Sequence, residues 1–147
     1  MEKLLISVCL LGAATRYDAK SVRAIDGSAL ESLKKKYELV PICPEIYGGL
    51  PTPRTPSERV FEKVIMKDGT DVTDNYKKGA DEALKLCELL GIKKALLKAK
   101  SPSCGRGLIY DGSFSGVLTE GNGVTAELLL KNGVEVFLET DIDLLIK

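Results

Sequence analysis

Cysteine and histidine set the limits on the chemistry open to this chain. Cysteines stand at positions 9, 43, 87 and 104, and there is no histidine. Ser-His-Asp and Cys-His nucleophilic catalysis are thereby excluded, as is any histidine-ligated metal. Proton transfer near neutral pH falls instead to carboxylate, lysine, tyrosine or cysteine side chains. No two cysteines form a Cys-x-x-Cys pair, so neither a zinc ribbon nor a thioredoxin-type motif is supported. Thiolates are soft ligands that suit zinc, copper(I) and iron–sulfur clusters. A structural zinc site wants four ligands, usually in closely spaced pairs, and a cluster is normally held by four cysteines. A cluster held by only three leaves one iron open, which implies chemistry rather than electron transfer.

Three of the four cysteines follow apolar runs. Residues 3–8, KLLISV, lead into Cys9; YELVPI leads into Cys43-Pro44-Glu45; KKALLKAK leads into Ser101-Pro102-Ser103-Cys104-Gly105. Each run reads as a buried strand, and VEVFLE (134–139) as a fourth. Helical patterns lie between them: residues 28–36 with Ser28 as N-cap, and a clearer helix capped by Thr73 or Asp74 and ended by Gly91. A short helix follows in GVTAELLLKNG, capped by Thr125; its Gly-rich start offers an anion site as the alternative. Residues 59–66 read as a strand, and the Asp68-Gly69 turn after it suggests a small hairpin.

Strands alternating with helices predict an α/β fold: one domain over residues 1–147, with a mainly parallel sheet flanked by helices (Rossmann-like) and a small β-hairpin insertion. In such a sheet, ligands bind outside the carboxyl ends of the strands. Cys9, Cys43 and Cys104 are therefore expected at one edge. Cys87 shares a helical stripe with Ala80, Ala83 and Leu84 and reads as core. Glu45, Ser101 and Ser103 are the local polar groups, with Glu45 able to serve as acid and base. Ser101 could equally cap its turn, since Ser before Pro favours turn initiation. Arg16, Asp18 and Arg54 are expected either to line the site or to anchor its loops.

Lys+Arg and Asp+Glu are both 21, so the basic footprint of a nucleic-acid binder is missing and no nucleic-acid polymer is expected. No apolar stretch is long enough to span a bilayer, and the N-terminal run lacks a basic n-region. A soluble, cytoplasmic protein is expected, with thiols kept free by a reducing compartment. Its partners are then a small molecule and, at most, copies of itself in a monomer or small homo-oligomer.

At these residues the chain resembles a known family. SVCLLG…RYD, CPE…GGL…PR, DGTDVT, LLKAKSPSCG and IYDGSFSGVLTEGNGVTAELL occur in order over nearly its whole length. Together they resemble the domain of unknown function 523 family, whose members include thiouracil desulfurases. The resemblance implies an oxygen-sensitive 4Fe–4S cluster whose ligands are Cys9, Cys43 and Cys104. It implies an open iron that takes the sulfur of a thiolated nucleobase, leaving the carbonyl base. Glu45 and Ser101 would be the catalytic acid/base and hydroxyl, with Ser103, Arg16 and Arg54 on the substrate side. One departure stands out: the family often has cysteine before Arg-Tyr-Asp, and Thr15 stands there. The rival expectations are a module that carries a cluster or sulfide without catalysis, and a zinc or thiol-only protein.

Overall fold

The computed structural model describes residues 1–20 and 24–147. Its centre is a four-stranded sheet of order β2-β1-β5-β8, formed by β1 (Glu2–Ser7), β2 (Tyr37–Ile42), β5 (Lys94–Leu97) and β8 (Glu135–Leu138). Every pairing is parallel, with Leu5 opposite Val40 on one side and Ala95 on the other. Strand β1 is in the middle, and Leu4, Leu5 and Ile6 are wholly buried. That explains its unbroken apolar run: a parallel strand covered on both faces has no polar side to show.

Successive residues of β1 feed opposite layers, as the two-residue period of a strand requires. Leu4 and Ile6 join Leu33, Tyr37 and Leu145, beneath α1 (Gly27–Lys36) and α5 (Ile142–Ile146). Leu5 joins Ala83, Cys87, Ala126 and Leu129, beneath α3 (Thr73–Leu90) and α4 (Val124–Lys131). Cys87 is therefore core, as its stripe indicated. A hydrogen bond from the Tyr37 hydroxyl to the Leu145 carbonyl, 3.1 Å, ties α5 to the sheet.

The expected α/β architecture with a mainly parallel sheet is present, and so is a hairpin insertion. The hairpin turns earlier than expected. Residues 59–66 are not one strand: β3 (Ser57–Val60) and β4 (Lys63–Met66) pair antiparallel around Phe61 and Glu62. Asp68-Gly69 makes the next turn, returning the chain so that Asp71 bridges Ile65. A second hairpin, β6 (Leu108–Tyr110) with β7 (Leu118–Glu120), has strands too short to show a period in the sequence.

The caps also differ from expectation. Asp26, not Ser28, accepts from the Ala29 amide at 2.8 Å and caps α1. Neither Thr73 nor Asp74 caps α3; Thr73 Oγ1 instead accepts from the Val64 amide and donates to Asp71. Gly123 is the N-cap of α4, with Thr125 inside its first turn. Gly91 does end α3, in the left-handed conformation expected of a C-cap.

Helix α2 (Pro44–Tyr47) is one turn long and too short to hold itself, so it leans on α3. The backbones meet so closely that a Cβ on Gly79 would lie 1.9 Å from the Pro44 carbonyl oxygen. Two effects oppose each other in Gly79→Ala. Helix propensity alone would stabilise by about 1 kcal/mol, whereas forcing α2 off α3 costs about 1–3 kcal/mol or more. Because backbone oxygen cannot yield as a side chain would, the clash wins. Gly79→Ala should lower the melting temperature by several degrees, whereas Asp81→Ala at an exposed position of α3 should barely move it. A thermal melt of the two variants checks this, and an unchanged Gly79→Ala midpoint would refute the close approach.

Candidate functional site

The three expected cysteines follow adjacent strands of the sheet. Cys9 sits in a 3-10 turn, Val8–Leu11, that directly continues β1. Cys43 follows β2 and occupies the N-cap of α2. Cys104 comes after β5 in a turn closed by the Gly105 amide on the Ser101 carbonyl, 2.8 Å. All three border one cavity of about 610 Å³ at the carboxyl edge of the sheet, shared with Glu45, Ser101 and Arg54. The chain crosses from β1 to β2 on one side and from β5 to β8 on the other, so the cavity opens where the winding reverses.

Cys104 and Cys43 are fixed by named contacts. The Ser7 hydroxyl donates to Cys104 Sγ at 3.5 Å while accepting the Lys98 amide at 3.1 Å. The accepted amide leaves the Ser7 proton free to point at sulfur. The amides of Ile46 and Glu45 favour the Cys43 thiolate, as the open end of a helix does. The turn carrying Cys104 is clamped by α4: Val124, Thr125 and Ala126 donate their amides to the Pro102 and Ser103 carbonyls at 2.8–3.1 Å. This occupies the first amides of α4, which leaves the anion-site alternative without free donors. A Cβ on Gly123 would lie 2.4 Å from the Ser103 carbonyl, so only glycine fits this junction.

Burial dominates the electrostatics. It pushes the Cys9 thiol up to about 11, helped by Cys43 and opposed by the Lys98 cation. It pushes Cys104 up to about 12, with the Ser7 hydrogen bond acting against it and Cys9 and Cys43 adding to it. Cys43 is raised for the same first reason. The three thiols thus sense one another across a desolvated space, an arrangement that only a strongly cationic occupant would stabilise as thiolates.

Glu45 and Arg54 form the main ion pair of the site. Arg54 Nη2 lies 2.6 Å from Glu45 Oε2 and its Nε 3.0 Å from the same oxygen. The guanidinium also donates to the Thr15 and Pro51 carbonyls and to Thr52 Oγ1. With its side chain 4% exposed, Arg54 anchors loops and carboxylate together instead of waiting for a ligand. Arg16 borders the cavity and pairs with Asp18 at 3.4 Å. Ser101 Oγ accepts the Ser103 and Cys104 amides, both at 3.1 Å, so it caps the turn; its own proton remains available to the cavity. Ser103, expected on the substrate side, is buried away from the cavity and bonds Thr125 Oγ1 at 2.8 Å.

Several residues at or beside the site were not singled out in the sequence, among them Ser7, Tyr76, Lys98 and Glu139. Ser7 is a hydroxyl at the end of an apolar strand, a signal that was available. Tyr76 lines the cavity from α3, and burial raises its hydroxyl pKa, with Glu45 adding to the effect. Its position among Gly79, Ala80 and Ala83 makes it look like core. Lys98 borders the cavity, and Glu139 holds it at 2.7 Å while accepting the Ala99 amide at 2.7 Å.

Among the described residues, no three cysteine or carboxylate side chains are grouped to hold a single metal ion. A polynuclear cluster makes a different demand, because it spreads its ligands over separate irons. Three thiols without a fourth, hydrogen bonds aimed at two of the sulfurs, and a cavity between them fit a cluster better than zinc. The Thr15 hydroxyl, which borders the cavity, is buried without a hydrogen-bond partner. An orphaned polar atom at this position also marks a place where a bound group supplies the missing contact.

The fold and site define an α/β protein with a thiol-lined cavity at its strand ends. Residues 4–141 match the family described as 2-thiouracil desulfurase, and the chain belongs to that family. It is 35% identical over 150 residues to the uncharacterized protein YbbK of Bacillus subtilis (strain 168), covering 95% of this chain and 97% of that one. It is also similar to the solved structure of the [4Fe-4S]-dependent thiouracil desulfidase TudS. There the identity is 46% and the TM-score 0.93, covering 99% of this chain and 95% of that one.

The Arg54 fork makes a testable demand. Lysine keeps the charge but cannot serve Glu45 and three other acceptors at once. Arg54→Lys should destabilise the protein by about 2 kcal/mol, because acceptors in a desolvated loop lose their donors. Urea unfolding should show a lower midpoint at an unchanged slope; an unaltered midpoint would mean that the fork is incidental.

Proposed function

We propose that this chain is a non-redox desulfurase that holds a 4Fe–4S cluster on Cys9, Cys43 and Cys104 and converts a thiolated pyrimidine such as 2-thiouracil to the carbonyl base. The observation that carries this reading is the meeting of three thiols from adjacent strand ends with Glu45 in one cavity. Close similarity to TudS over the whole chain supports the cofactor and the reaction class. The bound cluster would supply an open iron with affinity for the soft sulfur of a thiocarbonyl.

The rest of the work belongs to this chain's side chains. Arg54 grips Glu45 through Oε2, and the Tyr76 hydroxyl also meets the carboxylate, so the group is held in place for the reaction. Glu45 takes a proton from the attacking water as the new C–O bond forms, and returns a proton as the C–S bond breaks. The balance is thiocarbonyl plus water to carbonyl plus hydrogen sulfide, with no net electron transfer. Ser101, its oxygen already occupied by two amides, donates its proton to the substrate. Arg16 is on the substrate side, paired to Asp18. One domain, taken over residues 1–147, would suffice for this. Four free cysteines and such a cofactor suit a reducing cytoplasm; among the described residues no helix is long and apolar enough to cross a membrane.

Anaerobic reconstitution with iron and sulfide, followed by 2-thiouracil, tests the proposal. About four irons per chain, with sulfide released and uracil formed, is the expected result. A loaded protein without turnover would favour a carrier role, and a colourless one would remove the cluster altogether. Cys9→Ala, Cys43→Ala and Cys104→Ala should each lose bound iron, while Cys87→Ala keeps it at a packing cost of about 1 kcal/mol. Glu45→Gln should retain iron, yet lose about a hundredfold or more in kcat. Iron counts and turnover of these five variants would separate ligand from acid/base roles.

A further inference from the structure

The chain contains only eight aromatic residues, five tyrosines and three phenylalanines. Four of them, Tyr17, Tyr76, Tyr110 and Phe114, border the cavity that holds the three thiols. Phe114 differs from the others in having no hydroxyl and in the way its backbone is held. Its φ is 55°, in the left-handed region that bulky side chains avoid. The conformation is maintained by Glu58 of β3, whose Oε1 accepts the Phe114 amide at 3.1 Å and the Gly112 amide at 2.9 Å. Glu58 is 9% exposed, and burying a carboxylate is costly unless hydrogen bonds satisfy it. Behind the loop, a Cβ on Gly112 would lie 2.1 Å from Val60 Cγ2, so the loop is seated directly against β3.

We infer that Phe114 is the stacking wall for the substrate's ring, and that Glu58 is a positioning residue that holds this wall in place. The inference rests on the reading of the cavity as a desulfurase site and adds a determinant of specificity to it. A thioamide that is part of a flat heteroaromatic ring gains stacking on Phe114, whereas an open-chain thioamide does not. Phenylalanine suits the purpose because a π face is indifferent to the ring's pattern of donors and acceptors.

The test uses cluster-loaded protein and 2-thiouracil. Phe114→Ala should raise KM about tenfold or more, with kcat within about threefold and iron content unchanged. Phe114→Tyr should stay near the parent, while Phe114→Leu, which keeps apolar bulk without a π face, should resemble the alanine variant. Should Phe114→Ala fail to load, the leucine variant carries the test. Glu58→Ala should raise KM similarly, Glu58→Gln should restore it through its amide oxygen, and Glu58→Ala with Phe114→Ala should add little to either alone. An unchanged KM in Phe114→Ala and Phe114→Leu would overturn the inference while leaving the desulfurase reading intact. If the unmutated protein turns nothing over, that reading fails, and calorimetric binding of 2-thiouracil decides the wall separately. Weaker binding in the leucine variant would support it; equal binding, or none in the parent, would overturn it.

Discussion

The site depends on the parallel register of three strands. β2, β1 and β5 run side by side in one direction, with Leu5 between Val40 and Ala95. Their carboxyl ends consequently finish at the same edge, and each leads into a segment carrying one thiol. An antiparallel neighbour would have sent its cysteine to the opposite edge. The apolar content of β1 thus bears on the site: Leu4, Leu5 and Ile6 secure the centre of the sheet, and the centre of the sheet aligns the three thiols.

Alignment is not placement, and placement is secured by contacts that reach across the fold. Cys104 is seven residues beyond β5, too far for the strand to aim it. Its turn is held from below by α4, whose first amides it caps, and its sulfur is held from the side by Ser7 at the end of β1. Cys43 depends on the single turn of α2, which depends in turn on the absence of a side chain at Gly79. Burial raises all three thiols, so without a cationic occupant the pocket favours the protonated state. Hydrogen bonds from Ser7 and from the amides of α2 run against that preference, and they are the contacts a bound cluster would share.

How much of this could be read from the sequence follows from the range of each interaction. The strands before Cys9, Cys43 and Cys104 were legible because burial on both faces leaves continuous apolar runs. The close of α3 at Gly91 was legible because only glycine takes that conformation without strain. The caps were misjudged where two hydroxyls or carboxylates competed within a few residues: Asp26 displaced Ser28, and Thr73 turned to the Val64 amide in β4. Ser103 looked like a site residue by its neighbourhood, yet its partner Thr125 is 22 residues away. Tyr76 and Glu139 reach the site from other elements, and no local pattern distinguishes them, or Lys98 directly after β5, from core or surface.

The absence of histidine gives the Pro-rich loop after α2 its importance. With no imidazole available, the proposed proton transfer would rest on Glu45, and one carboxylate on a four-residue helix is poorly fixed by its own element. Arg54 supplies what the helix cannot: it grips one oxygen of Glu45 while bonding Thr15, Pro51 and Thr52, so the carboxylate inherits the stiffness of two loops. The same arginine draws the Thr15 carbonyl to the cavity's border, beside the unpartnered Thr15 hydroxyl. Arg54, Glu45 and the loops carrying Thr15 and Pro51–Thr52 are therefore one mechanical unit, and the irregular stretch between α2 and β3 is the frame of the carboxylate proposed as acid and base.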